Sequence, residues 1–365
     1  MKILYVTTIG STMGFFKSLI KELLDVGHIV DIATNEESSK VQDCYREWGC
    51  KIYPISTSRS PFNLGNIKAM KQIRNIAKNY DIVHCHTPLA GMATRFGCRK
   101  LRKKQGLKVI YTAHGFHFYK GAPKKNWLIY YPIEKTCSKW TDVLITINKE
   151  DYEFAKKKMK AKKIEYVHGV GVDINKFAKI VVEKDLKRDE IGVPRDSILI
   201  LSVGELNDNK NHQVVIKAIS RIENSNIYYC IVGIGEKRDY LLNLASSMGV
   251  KLVLLGRRTD VPEILKASDI FVFPSIREGL GLAAIEAIAS GLPLICSDNR
   301  GTREYCENQI VVKSYDDVIG YSEAIKKAIH VIESGSVTNN NIHLFKFDSS
   351  EINKKIKSIY KTILS

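Results

Sequence analysis

The run Ile270–Phe273 is four apolar residues, branched or aromatic, with no polar alternation. Such a run suits a strand covered on both faces. Pro274 and Ser275 end it, and Glu278, Gly279 and Gly281 fall in the turn that follows. Residues 282–290 have helical spacing, with Leu282, Ile285, Ile288 and Ala289 on one side. Gly291 and Pro293 stop the helix, and a second apolar run begins at Leu294. Strand, glycine turn, helix and strand in this order build a parallel, helix-covered sheet.

The same rhythm runs through the whole chain. Apolar runs at 2–7, 29–34, 51–55, 81–85, 107–112, 142–147 and 164–167 predict strands, and 15–26, 38–48 and 66–79 predict helices. A glycine-rich, then polar, stretch from 169 to 194 breaks the pattern. It restarts with strands at 198–203, 227–232, 251–255, 270–273 and 294–296 and helices at 212–222, 238–248, 261–266, 282–290, 317–333 and 350–364. The polar residues 338–343 read as loop. A chain of 365 residues exceeds what one core usually supports. The expected fold is therefore α/β, with two Rossmann-like, doubly wound domains at 1–175 and 176–348 and a last segment, 349–365. No apolar run approaches the roughly 18 residues of a membrane span, and Met1–Val6 reads as a first strand rather than a leader. The eight cysteines are scattered without a C-x-x-C pair, which suits reduced thiols and no structural zinc.

Two stretches carry chemistry. The helix opening at Leu282 aims its first free N–H groups above the sheet, where they attract phosphate, and Gly279 and Gly281 let backbone approach a ligand closely. Glu278 and Glu286 bracket that tip. A carboxylate repels phosphate, so each should meet sugar hydroxyls instead. Residues 202–212 form the second stretch. Gly204 follows a strand, and Lys210 precedes a helix and supplies positive charge.

Glu278 and Glu286, eight residues apart and flanked by Phe-Pro-Ser and Ala-Ser-Gly-Leu-Pro, resemble the signature of family 4 retaining glycosyltransferases. The resemblance implies the GT-B fold, two Rossmann-like domains facing across a cleft, with residues 349–365 returning to the N-terminal domain. It implies that Glu286 binds the ribose of a nucleotide sugar and that Glu278 lies by the transferred sugar. The implied catalytic residues are His114, Lys210 and Glu278, with His114 donating a hydrogen bond to a sugar hydroxyl. The implied donor-binding residues are Gly10, Gly204, Glu205, Arg258, Gly279, Gly281, Leu282 and Glu286. Gly10 belongs to a glycine loop laid against the diphosphate. The family usually has arginine where Glu205 stands. Glu205 then points away, meets a hydroxyl, or weakens activity, and Arg257 or Arg258 partly replaces the missing cation. His84 and His86 line the acceptor side. The implied reaction is front-face transfer with retention, needing no metal and no cofactor, because the nucleotide diphosphate sugar is itself a substrate.

The net charge of +17 points to an acceptor. Residues 1–180 hold 32 Lys and Arg against 15 Asp and Glu, whereas residues 181–365 hold 24 of each. One half carries the whole excess and should meet an anionic surface. Basic runs at 99–104 and 156–163 flank aromatics mixed with lysine, which suits a headgroup layer. His117, Trp127, Lys124 and Lys125 are the expected acceptor and membrane contacts. No nucleic-acid module is present. The resulting expectation is a cytoplasmic enzyme, peripheral at the inner face of the cell membrane. It would move a sugar from a UDP-linked donor to a lipid-linked saccharide in capsule, exopolysaccharide or lipopolysaccharide assembly. The alternatives are a GT-B nucleotide-sugar 2-epimerase and a non-catalytic saccharide- or membrane-binding relative.

Overall fold

The computed structural model describes residues 1–58, 60, 63–224, 226–335 and 341–365. The chain divides into two compact units, Met1–Gly171 with Ser349–Ser365, and Val172–Asp348. The first division falls a few residues before the boundary read from the sequence. Val172 already belongs to the second unit, where its N–H donates to the carbonyl of Phe347. Among the described residues no helix is long and apolar enough to cross a membrane.

The first unit is built on seven parallel strands: β1 (Lys2–Val6), β2 (Ile29–Thr34), β3 (Ile52–Pro54), β4 (Ile82–His86), β5 (Lys108–Ala113), β6 (Val143–Thr146) and β7 (Lys163–Tyr166). Their order is β3-β2-β1-β4-β5-β6-β7. One face packs against helices Gly65–Ala77, Pro88–Gln105 and Lys124–Ser138 through Leu4, Val6, Val83, Val109 and Leu144. On the other face Ile3, Tyr5, Ile82 and Ile110 meet Leu19, Ile20 and Leu23, together with Ile352, Ile356 and Tyr360. Those last three lie on the C-terminal helix Ser349–Leu364 and are buried at helical spacing. Each fully buried residue of this kind stabilises the fold by about 1.5–3 kcal/mol before entropy is counted, so the last helix is part of the first unit's core.

The second unit repeats the plan with β8 (Ile198–Val203), β9 (Ile227–Val232), β10 (Lys251–Gly256), β11 (Ile270–Phe273), β12 (Leu294–Ser297) and β13 (Ile310–Val312). The order is β10-β9-β8-β11-β12-β13, again all parallel. Both sheets thus show the doubly wound, Rossmann-like arrangement of the GT-B class.

Several elements depart from the sequence reading. Helices Pro88–Gln105 and Lys124–Ser138 were not anticipated, because their lysine, arginine and aromatic residues read as a membrane-facing surface rather than as helical spacing. The predicted helix at 38–48 shrinks to Cys44–Glu47. Residues 10–16 form a 3-10 turn ahead of helix Lys17–Asp25, not part of one long helix. Strand β13 was missed, since its three residues are too few to show a pattern. Residues 338–340 of the predicted loop lie outside the described residues, and Asn341–Phe347 form a 3-10 turn.

Candidate active site

In each sheet the strand order reverses direction at one point, between β1 and β4 and between β8 and β11. Loops leave the carboxyl ends of two such neighbours to opposite sides, which opens a ligand crevice there. In the second unit those loops are residues 204–211 and 274–281. They are laced together: the Ile276 N–H donates to the Asn209 carbonyl at 2.8 Å, and Asn209 Nδ2 donates to the Arg277 carbonyl at 3.1 Å. Asn211 ends the first loop with φ of 53°, a left-handed conformation that asparagine tolerates, and starts helix His212–Ile219. Its amide donates to the Tyr315 carbonyl at 2.6 Å.

This lacing brings Lys210 to Glu278. Lys210 Nζ donates to Glu278 Oε1 at 2.6 Å, and the side chains are 21% and 13% exposed. The ammonium also sits 4.8 Å from the Phe273 ring centroid. Gly204 is small for a reason: a Cβ there would lie 3.1 Å from Lys210 Cδ and Cε, where the lysine stem crosses the backbone. A half-dry cation suits a leaving diphosphate.

Beside this pair stands the tip of helix Leu282–Ala289. Gly281 caps it at φ 90°, and a Cβ there would lie 2.7 Å from Phe273 Cε1 and 2.8 Å from the Tyr305 hydroxyl. No other residue type fits that turn without strain. Among the described residues the N–H groups of Leu282 and Ala283 have no acceptor in the chain, so they remain available to an anion. Gly279 lies in the same turn, partly exposed.

Glu286, one turn into the helix, is unlike Glu278. Burial pushes its carboxyl up to about 7, and Lys176 pulls it back only in part. A carboxyl whose folded value lies above its unfolded one contributes stability that is full below the unfolded value and is lost as the pH rises toward 7. Hydroxyls donating to the ionised form would lower that value again. Binding of a nucleotide near pH 7 should therefore release part of a proton. Calorimetric titration in two buffers of different ionisation enthalpy should show the release in the parent and none in Glu286→Gln; equal heats in both buffers for the parent would count against it.

In the first unit the histidines gather at the carboxyl ends of β4 and β5. His84 Nδ1 lies 2.6 Å from the Tyr360 hydroxyl and its Nε2 lies 2.7 Å from Thr112 Oγ1. His86 Nδ1 lies 3.1 Å from His114 Nε2. Burial lowers His84 to about 3, His114 to about 4 and His86 well below its ordinary value, so all three are neutral near pH 7. Thr87, next to His86, holds φ of 67°, rare for a branched residue, and its hydroxyl meets that of Thr8 at 2.6 Å.

Other expected residues have different surroundings. The Gly10 N–H donates to the Ser39 carbonyl at 3.0 Å, and a Cβ would come within 2.2 Å of that oxygen. Gly10 is thus a close backbone approach, and its N–H is not offered to a ligand. Arg258 does not replace the missing arginine: its guanidinium binds Asp260 at 2.6 and 2.8 Å and also Glu190. Glu205 is exposed, where it accepts from Asn207 Nδ2 at 2.9 Å. Trp127 does not face outward. It packs on Phe118, Tyr131 and Phe154, and its indole N–H donates to the Tyr119 carbonyl at 3.2 Å. His117 packs against Tyr130, ring centroids 4.6 Å apart and planes tilted by 34°. Lys124 and Lys125 are exposed, as is Leu128.

Sequence reasoning missed the third wall of the second unit's site, residues 299–305. A Cβ on Gly301 would lie 2.8 Å from Glu278 Cβ, and Arg300 Nε donates to the Glu278 carbonyl at 3.4 Å. Asn299 holds this turn by accepting from the N–H groups of Gly301 and Thr302. The signal was a glycine shortly after a strand end, but nothing local says that it touches Glu278. Among the described residues no three His, Cys, Asp or Glu side chains are grouped as metal ligands.

Comparison with known proteins decides the family. The model of Glycosyl transferases group 1 matches residues 183–342, and that of Glycosyl transferase 4-like matches residues 2–148. EpsD of Bacillus subtilis (strain 168), which carries a provisional glycosyltransferase name, is 37% identical over 289 residues, 76% of this chain and 75% of EpsD. The chain belongs to the group 1 glycosyl transferases. A further relative of this glycosyltransferase is the UDP-Gal:alpha-D-GlcNAc-diphosphoundecaprenol alpha-1,3-galactosyltransferase of Escherichia coli, 36% identical over 262 residues, 68% of this chain and 66% of the relative. Among solved structures, Anabaena HepE in complex with UDP and glucose shares the glycosyltransferase's fold, with a TM-score of 0.79 at 17% identity over 99% of this chain and 100% of HepE.

Proposed function

We propose that this glycosyltransferase moves a sugar from a UDP-linked donor to a lipid-linked saccharide, with retention, in the assembly of a cell-surface polysaccharide. The observation that carries this reading is the meeting of Lys210 and Glu278 beside an open helix tip whose next turn bears the unpaired Glu286. The diphosphate takes the free N–H groups of Leu282 and Ala283 and draws on Lys210, the ribose hydroxyls take Glu286, and the sugar takes Glu278. As the bond to the anomeric carbon breaks, charge grows on the departing diphosphate. Lys210 offsets it, so the reading needs no metal ion. The acceptor oxygen bonds to the anomeric carbon on the face the diphosphate leaves, and a diphosphate oxygen takes that hydroxyl's proton, which retains configuration. His114 enters this reading as a donor to a sugar hydroxyl.

The donor and acceptor classes draw support from the E. coli relative, whose name specifies UDP-Gal and a diphosphoundecaprenol-linked sugar, and from HepE, solved with UDP and glucose. The exposed Lys124, Lys125 and Leu128 support docking of the first unit on an anionic membrane surface. Incubation with a panel of nucleotide diphosphate sugars should give slow release of UDP from UDP-sugars even without acceptor, because water enters as a poor acceptor. Release from none of the panel, with a lipid-linked acceptor also supplied, would refute the reading.

A further inference from the structure

We propose that His86 is a positioning residue that locks His114 in the tautomer with its proton on Nδ1, so that His114 presents a hydrogen-bond donor to its ligand. This rests on the reading of His114 as a sugar-contacting residue.

Each neutral imidazole carries one N–H and one bare nitrogen. His84 is saturated, since Tyr360 and Thr112 hold its two nitrogens. It therefore has nothing to share with His86, although the rings lie 4.2 Å apart. Among the described residues the His86 ring has one hydrogen-bond partner, His114 Nε2, across 3.1 Å. Its own Nε2 is buried, in a residue 1% exposed, and has no partner.

Two proton arrangements satisfy the contact between His86 and His114. In one, His114 Nε2–H donates to His86 Nδ1. His86 then carries its proton on Nε2, a buried N–H with no acceptor. In the other, His86 Nδ1–H donates to His114 Nε2. What is left buried is then a bare nitrogen lone pair, and His114 carries its proton on Nδ1. Orphaned buried N–H groups are rarer than under-used acceptors, so the second arrangement is favoured.

The cavity beside His86 does not reverse this. Its volume is about 20 Å³, enough for one water, and it is lined by Tyr5, Phe16, Leu19, Ile352 and Ile356 with Asn353 at its edge. The side-chain donors on that wall are already engaged, and His84 and Thr112, which also line it, hold each other at 2.7 Å. The Tyr5 hydroxyl meets that of Tyr360 at 2.7 Å, and Asn353 donates to Ser18 Oγ and Glu22 Oε1. Besides His86 Nε2, a water there would have mainly Asn353 Oδ1 to bond, short of the usual three partners, which makes it a weak acceptor site for a trapped N–H. The His86 ring is held in plane by Phe16 at 4.1 Å and by Tyr5, stacked at 5.5 Å and 15°.

The consequence lies at His114. Its Nε2 is occupied, its ring is partly exposed, and among the described residues nothing bonds its Nδ1. The hydrogen bond at one nitrogen sets what the other can do. With the lock in place, Nδ1 is a donor before any ligand arrives.

Long-range proton–nitrogen correlation spectra of the full chain carrying 15N-histidine test this, with His114 assigned by the signals lost in His114→Asn. The expected spectrum has the His114 proton on Nδ1 and a bare Nε2. In His86→Phe the His114 proton should move toward Nε2, and kcat/KM for the nucleotide sugar should fall about five- to tenfold. His86→Asn, whose amide can donate in place of the imidazole Nδ1–H, should restore most of both. A His114 proton on Nε2 in the parent protein overturns the lock, and that spectrum needs no variant to fold. Full turnover in His114→Ala would instead remove the reading of His114 as a sugar contact while the parent spectrum still stands for or against the lock.

Discussion

Replacing Lys210 with methionine lowers turnover of the nucleotide diphosphate sugar by roughly 10²- to 10³-fold, the scale set by removing one preorganised charge-stabilising donor. Methionine keeps most of the stem that crosses Gly204 and packs near Phe273, so the loop should hold its course. Glu278 then loses its partner, but it keeps some contact with solvent and is not stranded as a fully buried charge would be. The unfolding transition of the second unit should accordingly stay within about 2 kcal/mol of the parent. Steady-state kinetics beside denaturant unfolding separates the two effects. Turnover within about threefold of the parent, in a folded variant, would remove Lys210 from the chemistry.

Arg95→Ala has the largest expected effect on stability. Arg95 is fully buried in helix Pro88–Gln105, and it donates to Glu134 Oε2 at 2.8 Å and to the Gly91 carbonyl at 2.9 Å. Its guanidinium lies 3.9 Å from the Tyr111 ring centroid, and the Tyr111 hydroxyl donates to Glu134 Oε1 at 3.1 Å. Gly91 makes room for that ring, since a Cβ would lie 2.5 Å from Tyr111 Cε2. Alanine leaves a cavity and a buried carboxylate without its cation. The expected cost is about 3–5 kcal/mol, or roughly 10 °C in the first unit's melting temperature. Adding Glu134→Leu should recover a large part, because the stranded charge goes with it. A loss below about 1 kcal/mol in the single variant would show that water or a protonated Glu134 absorbs the change.

How legible these features were depends on how far apart in sequence their parts lie. Strands β8, β9 and β11 fall where the sequence places them, because an unbroken apolar run is itself the mark of a strand covered on both faces. The helix tip at Leu282 was legible for the same reason: glycine, strand end and helix start are contiguous. Helix Pro88–Gln105 was not, since its charged last turns hide an apolar first half in which Leu89, Ala90 and Ala93 are buried. Helix Lys124–Ser138 has Pro132 inside it, a residue that usually argues against helix. Partnerships such as Arg95 with Glu134, His84 with Tyr360, and Glu278 with Gly301 join residues from separate elements. No local pattern encodes them, and only the finished sheet order brings them together. Arg258 illustrates the reverse error. It follows the right strand to serve the diphosphate, yet Asp260 two residues on and the distant Glu190 engage it first.

Titration of the intact chain with UDP tests most directly whether the tip of helix Leu282–Ala289, with Lys210 and Glu286, holds a nucleotide diphosphate. One saturable site is predicted, weakened at least about tenfold in Lys210→Met and stripped of its proton release in Glu286→Gln. The absence of saturable binding, or unchanged affinity and unchanged proton release in both variants, would contradict it.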